Sequence, residues 1–412
     1  MKLITKRSSK LAILGISLTI IIFLGLFPSL ALACGRHQYW PSWFWWKQKR
    51  PETLGMDSSK IEEMYDYIKT NEINLHSVLI VRNGYIVNEE YLMDGTYERM
   101  EQKSYDWPGH DPFLQLRDGR LHAVWSVTKS IVSLLTGIAI DMGLFDLNTK
   151  FFDVFPDRWD SDYYGDVRKK DITVENLLLQ NAGIQWNEWD PTLNEEWAAT
   201  DFSLDFYLLQ PMAYTPGEED PSAWTYSSGN AEMLSVIIAN KAGMTLADFA
   251  RHYLFRPLKI LDCEWDWWGG FSAWGTGDLA IKYHGGFGLF MTHRAMARIG
   301  LMCLRNGKWR SNSWFFWRWG ERQVVPEEWI ETSTSGLIDR LLFGLPIQYG
   351  YLWWVTPDKY YQAFGAFTQR IIVIPEFDIV VVFTADEIDD MVWSGPIDSL
   401  LIDLFIIPAV VQ

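Results

Sequence analysis

The strongest constraint in this chain is a lysine at the head of a helix that has almost no polar face. From His122 the sequence runs HAVWSVTKSIVSLLTGIAIDMGLFDL. Ile131, Leu134, Leu135, Ile138 and Met142 recur at helical spacing, and Gly143 supplies a stop. A helix this apolar must be buried, and Lys129 is buried with it. Positions three apart share a helix face, so Ser126 and Lys129 can touch. Burial and the positive end of the helix dipole both disfavour the ammonium form. A neutral amine can take the proton of a serine hydroxyl, which is a poor nucleophile without such help. The helix start also offers unpaired backbone N–H groups to a developing oxyanion. Ser-x-x-Lys alone occurs by chance, and its bland account is a capping serine beside a surface lysine. The apolar surroundings argue against that account.

The organisation around this helix is readable in outline. Asp57-Ser-Ser-Lys60 predicts a helix through about Lys69, with Ile61, Met64 and Ile68 on one face. HSVLIV and YIVNEEY, joined by Arg82-Asn83-Gly84, predict a β-hairpin. Helices are expected after Thr173, from about Asn230 to Ala242, from Leu246 to Phe255 and from Thr292 to Asn306. Strands return at Tyr349–Val355, Arg370–Ile374 and Ile379–Thr384, before a closing helix over Pro396–Ile407. Strands thus bracket a long helical middle. The expected fold class is α+β: a mainly antiparallel sheet built from both chain ends and flanked by helices, with a helical region inserted over about 126–340.

The N-terminus predicts export. Lys2, Lys6, Arg7 and Lys10 precede a nearly unbroken apolar run, Leu11–Leu26, and Ala31-Leu32-Ala33 offers a cleavage site before Cys34. Residues 1–33 read as a signal peptide or membrane anchor, and Cys34 as a candidate for lipidation; cleaved, lipidated and anchored forms stay open. Residues 34–52 read as a tryptophan-rich linker whose rings could sit at a lipid interface, and residues 53–412 as the body. The formal net charge of −16 argues against nucleic acid or an anionic surface as partner. Cys263 and Cys303 are expected as buried thiols, with a bridge between them as the alternative.

A second constellation, WTYSSGN over Trp224–Asn230, stands just ahead of a helix. Ser126-Val-Thr-Lys129 followed by Tyr226-x-Ser228 resembles the serine β-lactamase and penicillin-binding-protein superfamily. The class C branch, with its esterase, D-aminopeptidase and nylon-oligomer-hydrolase relatives, is the most similar. ITVENLLLQNAGI, HGGFGLFMTHRAMARIGLMCL from His284 and RIIVIPEFDIVVVFTAD resemble further segments of that family, so the likeness runs over about 55–407. The resemblance implies that Ser126 is the nucleophile, Lys129 its base and Tyr226 a proton relay to the leaving group. A phenol beside an ammonium is also expected to have its pKa lowered.

Two departures stand out. Ser228 occupies the place of the family's asparagine. The family's third motif, a basic residue and a glycine on a strand, falls on Phe364-Gly365-Ala366-Phe367-Thr368-Gln369. The second oxyanion N–H is expected at Thr368 or Gln369, with Phe367 standing where a glycine should let the backbone approach. These changes point away from a true β-lactamase.

Other chemistry finds little support. No Gly-x-Ser-x-Gly elbow or zinc-type histidine spacing occurs, and His122, four residues before Ser126, reads as structural. Most of the 23 tryptophans read as packing, with an aromatic-lined cleft and a membrane-dipping loop at 314–319 as alternatives. The expectation is an exported serine hydrolase that acts on a small ester or amide, peptide-like or not, through a Ser126 acyl-enzyme and without metal or organic cofactor. The competing expectation is a catalytically impaired, membrane-tethered binding or scaffold module of the same fold.

Overall fold

The computed structural model describes residues 39–42, 45–92, 121–261, 263–265, 267–271, 281–311, 320–342, 344–385 and 397–411. Tyr39 apart, these fall in one compact unit, Trp40–Gln412. The N-terminal apolar segment, Cys34 and the 314–319 loop lie outside the described residues.

The Asn-Gly hairpin forms as its chemistry demands. Strands β1 (Ser77–Arg82) and β2 (Tyr85–Tyr91) meet through Asn83 and Gly84, at φ +52° and +82°. A two-residue hairpin turn of this hand needs two left-handed residues, and Asn-Gly supplies them with little strain. Six strands from the other end of the chain complete the sheet: β3 (Ile338–Leu342), β4 (Leu345–Tyr349), β5 (Trp354–Thr356), β6 (Tyr360–Gly365), β7 (Gln369–Ile374) and β8 (Ile379–Thr384). Their order is β3-β4-β5-β6-β7-β8-β1-β2, antiparallel throughout. β1 closes onto β8 with Ser77 opposite Thr384, their hydroxyls 2.6 Å apart.

Strands β7 and β8, QRIIVI and IVVVFT, are buried at every position. Such continuous apolar runs suit a sheet covered on both faces rather than one. The main helices are α1 (Ser58–Thr70), α2 (Val127–Asp141), α3 (Ser228–Ala242), α4 (His293–Leu304) and α5 (Ile397–Leu401), the last continuing in wider turns over Ile402–Ile406. On one face, Ile61, Met64 and Ile68 of α1 and Leu401, Ile402 and Ile406 pack with Val78, Ile80, Ile372, Val381 and Phe383. The alternate residues face α4, which comes in so closely that a β-carbon on Gly300 would meet Val380 at 2.5 Å. α2 also docks on the sheet, at β6 and β7, and is buried without interruption from Val127 to Ala139.

Three expectations need correction. The strand over Tyr349–Val355 is two strands: Leu352 is left-handed at φ +62° and Gly350 N–H bonds to Trp353 O, turning the chain where Ser130 of α2 donates to Leu352 O at 2.7 Å. The middle of the chain is not purely helical. It carries a small sheet of His122–Ala123, Leu289–Met291 and Cys263–Trp265, and the strand pairs Trp267–Phe271 with Ile281–Tyr283 and Lys308–Ser311 with Gly320–Gln323. The described part of the tryptophan-rich stretch is no free linker. Trp40 and Trp46 are buried, Trp46 Nε1 donates to Gly84 O at 2.8 Å, and Arg298 lies over its ring. Among the described residues no single helix is long and apolar enough to cross a membrane.

Phe383, fully buried between α1 and the closing helix, tests this layering. Phe383→Ala should lower stability by about 3–5 kcal/mol in urea unfolding, from lost burial and the cavity left behind. A loss below about 1 kcal/mol would contradict the double-sided cover.

Candidate active site

The chain enters α2 through a strained residue. Trp125 takes φ +49°, an uncommon conformation for a bulky side chain, and Ser126 follows as the residue capping the helix. Lys129, one turn on, is 1 % exposed. Its Nζ lies 2.9 Å from Ser126 Oγ, 2.8 Å from Ser228 Oγ and 3.0 Å from Gly286 O. Burial draws the amine down to about pKa 8, partly opposed by the charge of Glu188.

The Tyr226–Ser228 segment arrives at the start of α3 and meets the same point. Lys129 Nζ lies 4.7 Å from the Tyr226 ring centre. The ring stacks on Trp189 at 5.9 Å and packs against Trp354 at 5.8 Å. Its pKa moves opposite to expectation. Burial raises it, Ser126 offsets this in part, Glu188 adds to the rise and Arg370 opposes it slightly. Taking a phenolate out of water outweighs the pull of a neighbouring amine.

Ser228, fully buried, donates to Glu188 Oε1 in a very short hydrogen bond, and its backbone N–H reaches Glu188 Oε2 at 2.8 Å. Trp186 Nε1 donates to the same Oε2 at 2.8 Å. Glu188 Oε1 stands 3.9 Å from Lys129 Nζ.

The β6–β7 hairpin delivers the third-motif segment. Gly365 ends β6 so close to the segment entering α2 that a β-carbon there would lie 2.3 Å from Val124 O. Gly365 is therefore required by this contact with the segment that enters α2. Phe367 sits in the turn at φ +52° with its ring 5.5 Å from Trp125. Gln369 is turned away from the site: its N–H bonds back to Ala366 O at 3.4 Å and its side chain donates to Ala385 O. Thr368 is buried in the turn at φ +60°. The N–H groups of Ser126 and Ala366 have no acceptor among the described residues. Beneath the turn, buried Arg370 donates to Gly365 O at 2.5 Å and pairs with Asp398 at 2.8 Å.

Ser126, Lys129, Tyr226 and Ser228 thus converge, whereas Gln369 does not join them. His122 is held elsewhere, its Nε2 3.1 Å from His76 Nδ1, and His76 is pushed down to about pKa 3 by burial. Cys263 and Cys303 are not bridged. Among the described residues no three His, Cys, Asp or Glu side chains converge as a metal site requires. Two contributors escaped the sequence reading. Gly286 lies in the His284 segment and presents its carbonyl to Lys129; Glu188 sits between Trp186 and Trp189, and its only signal was a carboxylate inside a tryptophan cluster.

The beta-lactamase family model matches residues 75–387. Among solved structures the chain is similar to a Bacillus anthracis protein assigned as a 6-aminohexanoate-dimer hydrolase, at 15% identity and TM-score 0.61, over 90% of this chain and 87% of that one. A penicillin-binding protein from Bacillus halodurans matches at 14% identity and TM-score 0.55, over 82% and 98%. EstCE1, a hydrolase with promiscuous acyltransferase activity, matches at 15% identity and TM-score 0.60, over 84% and 98%. At these identities the likeness concerns the fold. No curated protein matches significantly.

The Arg370–Asp398 pair that holds the hairpin is buried on both sides, at 1% and 2% exposure. Asp398→Ala would strand a guanidinium in the core, with an expected loss of about 3–5 kcal/mol in chemical denaturation. A near-neutral result would show the hairpin to be held by other means.

Proposed function

The chain belongs to the beta-lactamase family of serine hydrolases, and from that premise we propose that it cleaves an ester or amide through an acyl-enzyme on Ser126. One observation carries the reading: a fully buried amine, with its pKa drawn down to about 8, within 2.9 Å of the Ser126 hydroxyl. Neutral Lys129 takes the Ser126 proton as Oγ bonds to the carbonyl carbon. The charge that develops on the carbonyl oxygen meets the N–H groups of Ser126 and Ala366. As the tetrahedral intermediate collapses, the bond to the leaving group breaks and Tyr226 passes it a proton, which Lys129 replaces. Water then attacks the acyl-enzyme, Lys129 takes its proton, and Ser126 leaves with one. A tyrosine whose pKa burial raises stays protonated at neutral pH, which suits a donor rather than a base.

The substrate class follows from the hairpin. Phe364 to Gln369 offers no cation, and Arg370 is committed to Asp398 and Gly365. Recognition of a substrate carboxylate is therefore unsupported there, and esters or amides with an uncharged acyl side fit better than penicillins.

The basic flank and apolar run at the N-terminus support export, with the segment cleaved, lipidated at Cys34 or kept as an anchor. Fractionation and N-terminal mass analysis of the expressed full chain should find it in the envelope or medium. Recovery in the cytoplasm with residues 1–33 intact would overturn the export reading.

A fluorophosphonate should label the full chain covalently and Ser126→Ala should abolish the label, while a fluorescent penicillin should react poorly. The labelling rate should rise about tenfold per pH unit up to about pH 8 and then level, because the base is active only after losing its proton. Absence of label on folded protein would favour the scaffold reading instead.

A further inference from the structure

A hydroxyl beside a lysine is ambiguous, because it can donate to the amine or accept from it. Ser228 Oγ lies 2.8 Å from Lys129 Nζ, and its direction decides where the amine's lone pair points. Glu188 removes the ambiguity. Its Oε2 receives two N–H donors that cannot reverse, the Ser228 backbone and Trp186 Nε1, each at 2.8 Å. Its Oε1, an acceptor only, takes the Ser228 hydroxyl hydrogen. Ser228 Oγ is thereby left with lone pairs toward Lys129 and must accept from it. Gly286 O, at 3.0 Å, can only accept as well. Two N–H bonds of the neutral amine are committed, and the direction that remains faces Ser126 Oγ at 2.9 Å.

Building on the hydrolase reading above, we propose that Glu188 is a positioning residue that acts through Ser228 to aim the Lys129 lone pair at Ser126. A plain structural role, the carboxylate merely tying the Trp186 segment to the start of α3, would affect stability alone. The two accounts separate at the lysine. A carboxylate 3.9 Å from Nζ also favours the protonated amine, opposing the effect of burial. A positioning residue therefore controls both the direction and the proton affinity of the base.

The discriminating variant is Glu188→Gln, which keeps the shape and reverses one group. The single oxygen of Gln is required by the two fixed N–H donors, so its NH2 turns to Ser228 Oγ and donates. Ser228 must then point its hydrogen at Lys129 and occupy the lone pair that Ser126 needs. Glu188→Ala removes the acceptor without adding a donor and leaves Ser228 able to turn either way. The expected order of fluorophosphonate acylation rates is therefore wild type, then E188A, then E188Q, with E188Q slower than wild type by about 100-fold or more, the range of a lost general base. In a Ser228→Ala background E188Q should add little, because residues acting through one another are not additive. Titration of the Lys129 ε-carbon by NMR should show a lower lysine pKa in both Glu188 variants. E188Q as fast as E188A or faster, a full E188Q effect retained in Ser228→Ala, or an unmoved lysine pKa would each overturn the proposal. If E188Q does not fold, E188A must still slow acylation and lower the lysine pKa. If wild type takes no label, the hydrolase reading falls, and the NMR titration alone decides whether Glu188 governs Lys129: a lowered pKa supports that coupling and an unchanged one removes it.

Discussion

Withdrawing water from the head of α2 acts on two groups at once and in opposite senses. Burial penalises whichever form carries charge, so it takes a proton from an amine and keeps one on a phenol. Lys129 is drawn toward neutrality near physiological pH while Tyr226 is driven further from ionisation. One cause thus moves the amine toward its neutral form and keeps the phenol protonated. Environments that push two pKa values apart are a general way of assigning acid and base roles. Here the separation depends on the continuous burial of α2 from Val127 to Ala139, a property of the fold more than of any single contact.

That burial needs the sheet, and the sheet needs both ends of the chain. β1 lies between β8 and β2, so the sheet order is complete only when the N-terminal hairpin has docked on the C-terminal strands. β6 and β7 then lean against α2, and Gly365 lets their turn approach Val124. The guanidinium of Arg370, over the Phe364 ring at 3.2 Å and bonded to Gly365 O, fixes the turn from below. Its partner, Asp398, comes from α5, which also closes the opposite face of the sheet. A residue far along the chain therefore helps place the wall of the site, through a charge that the core can hold only while paired.

Much of this was legible in the sequence where a local signal exists. Asn83-Gly84 fixed a hairpin because two adjacent left-handed residues have few other uses. The apolar repeat after Ser126 announced a buried helix, and the spacing of Ser126 and Lys129 put them on one face. The break at Gly350–Trp353 was hidden because its cause is tertiary: the turn forms where Ser130 of α2 meets Leu352 O. Trp46 looked like a linker residue because nothing local says that its indole would reach Gly84. The direction of the Tyr226 pKa was misjudged for a related reason. The neighbouring amine could be inferred from the motif, but the degree of burial could not.

Glu188 was illegible for a deeper reason. A serine in place of the family's asparagine looks like a weakening when read by itself, because a hydroxyl lacks the fixed acceptor of an amide. Its chemistry depends on what takes its hydrogen, and that partner lies in a different segment of the chain. With an acceptor-only carboxylate behind it, Ser228 presents lone pairs to Lys129 as steadily as a carbonyl oxygen would. The carboxylate brings something a carbonyl does not, a full negative charge 3.9 Å from the amine. That charge limits how far burial can lower the lysine pKa and holds it to about 8. The two-residue arrangement is thus not equivalent to an amide: Glu188 both orients Ser228 toward the Lys129 amine and sets that amine's proton affinity.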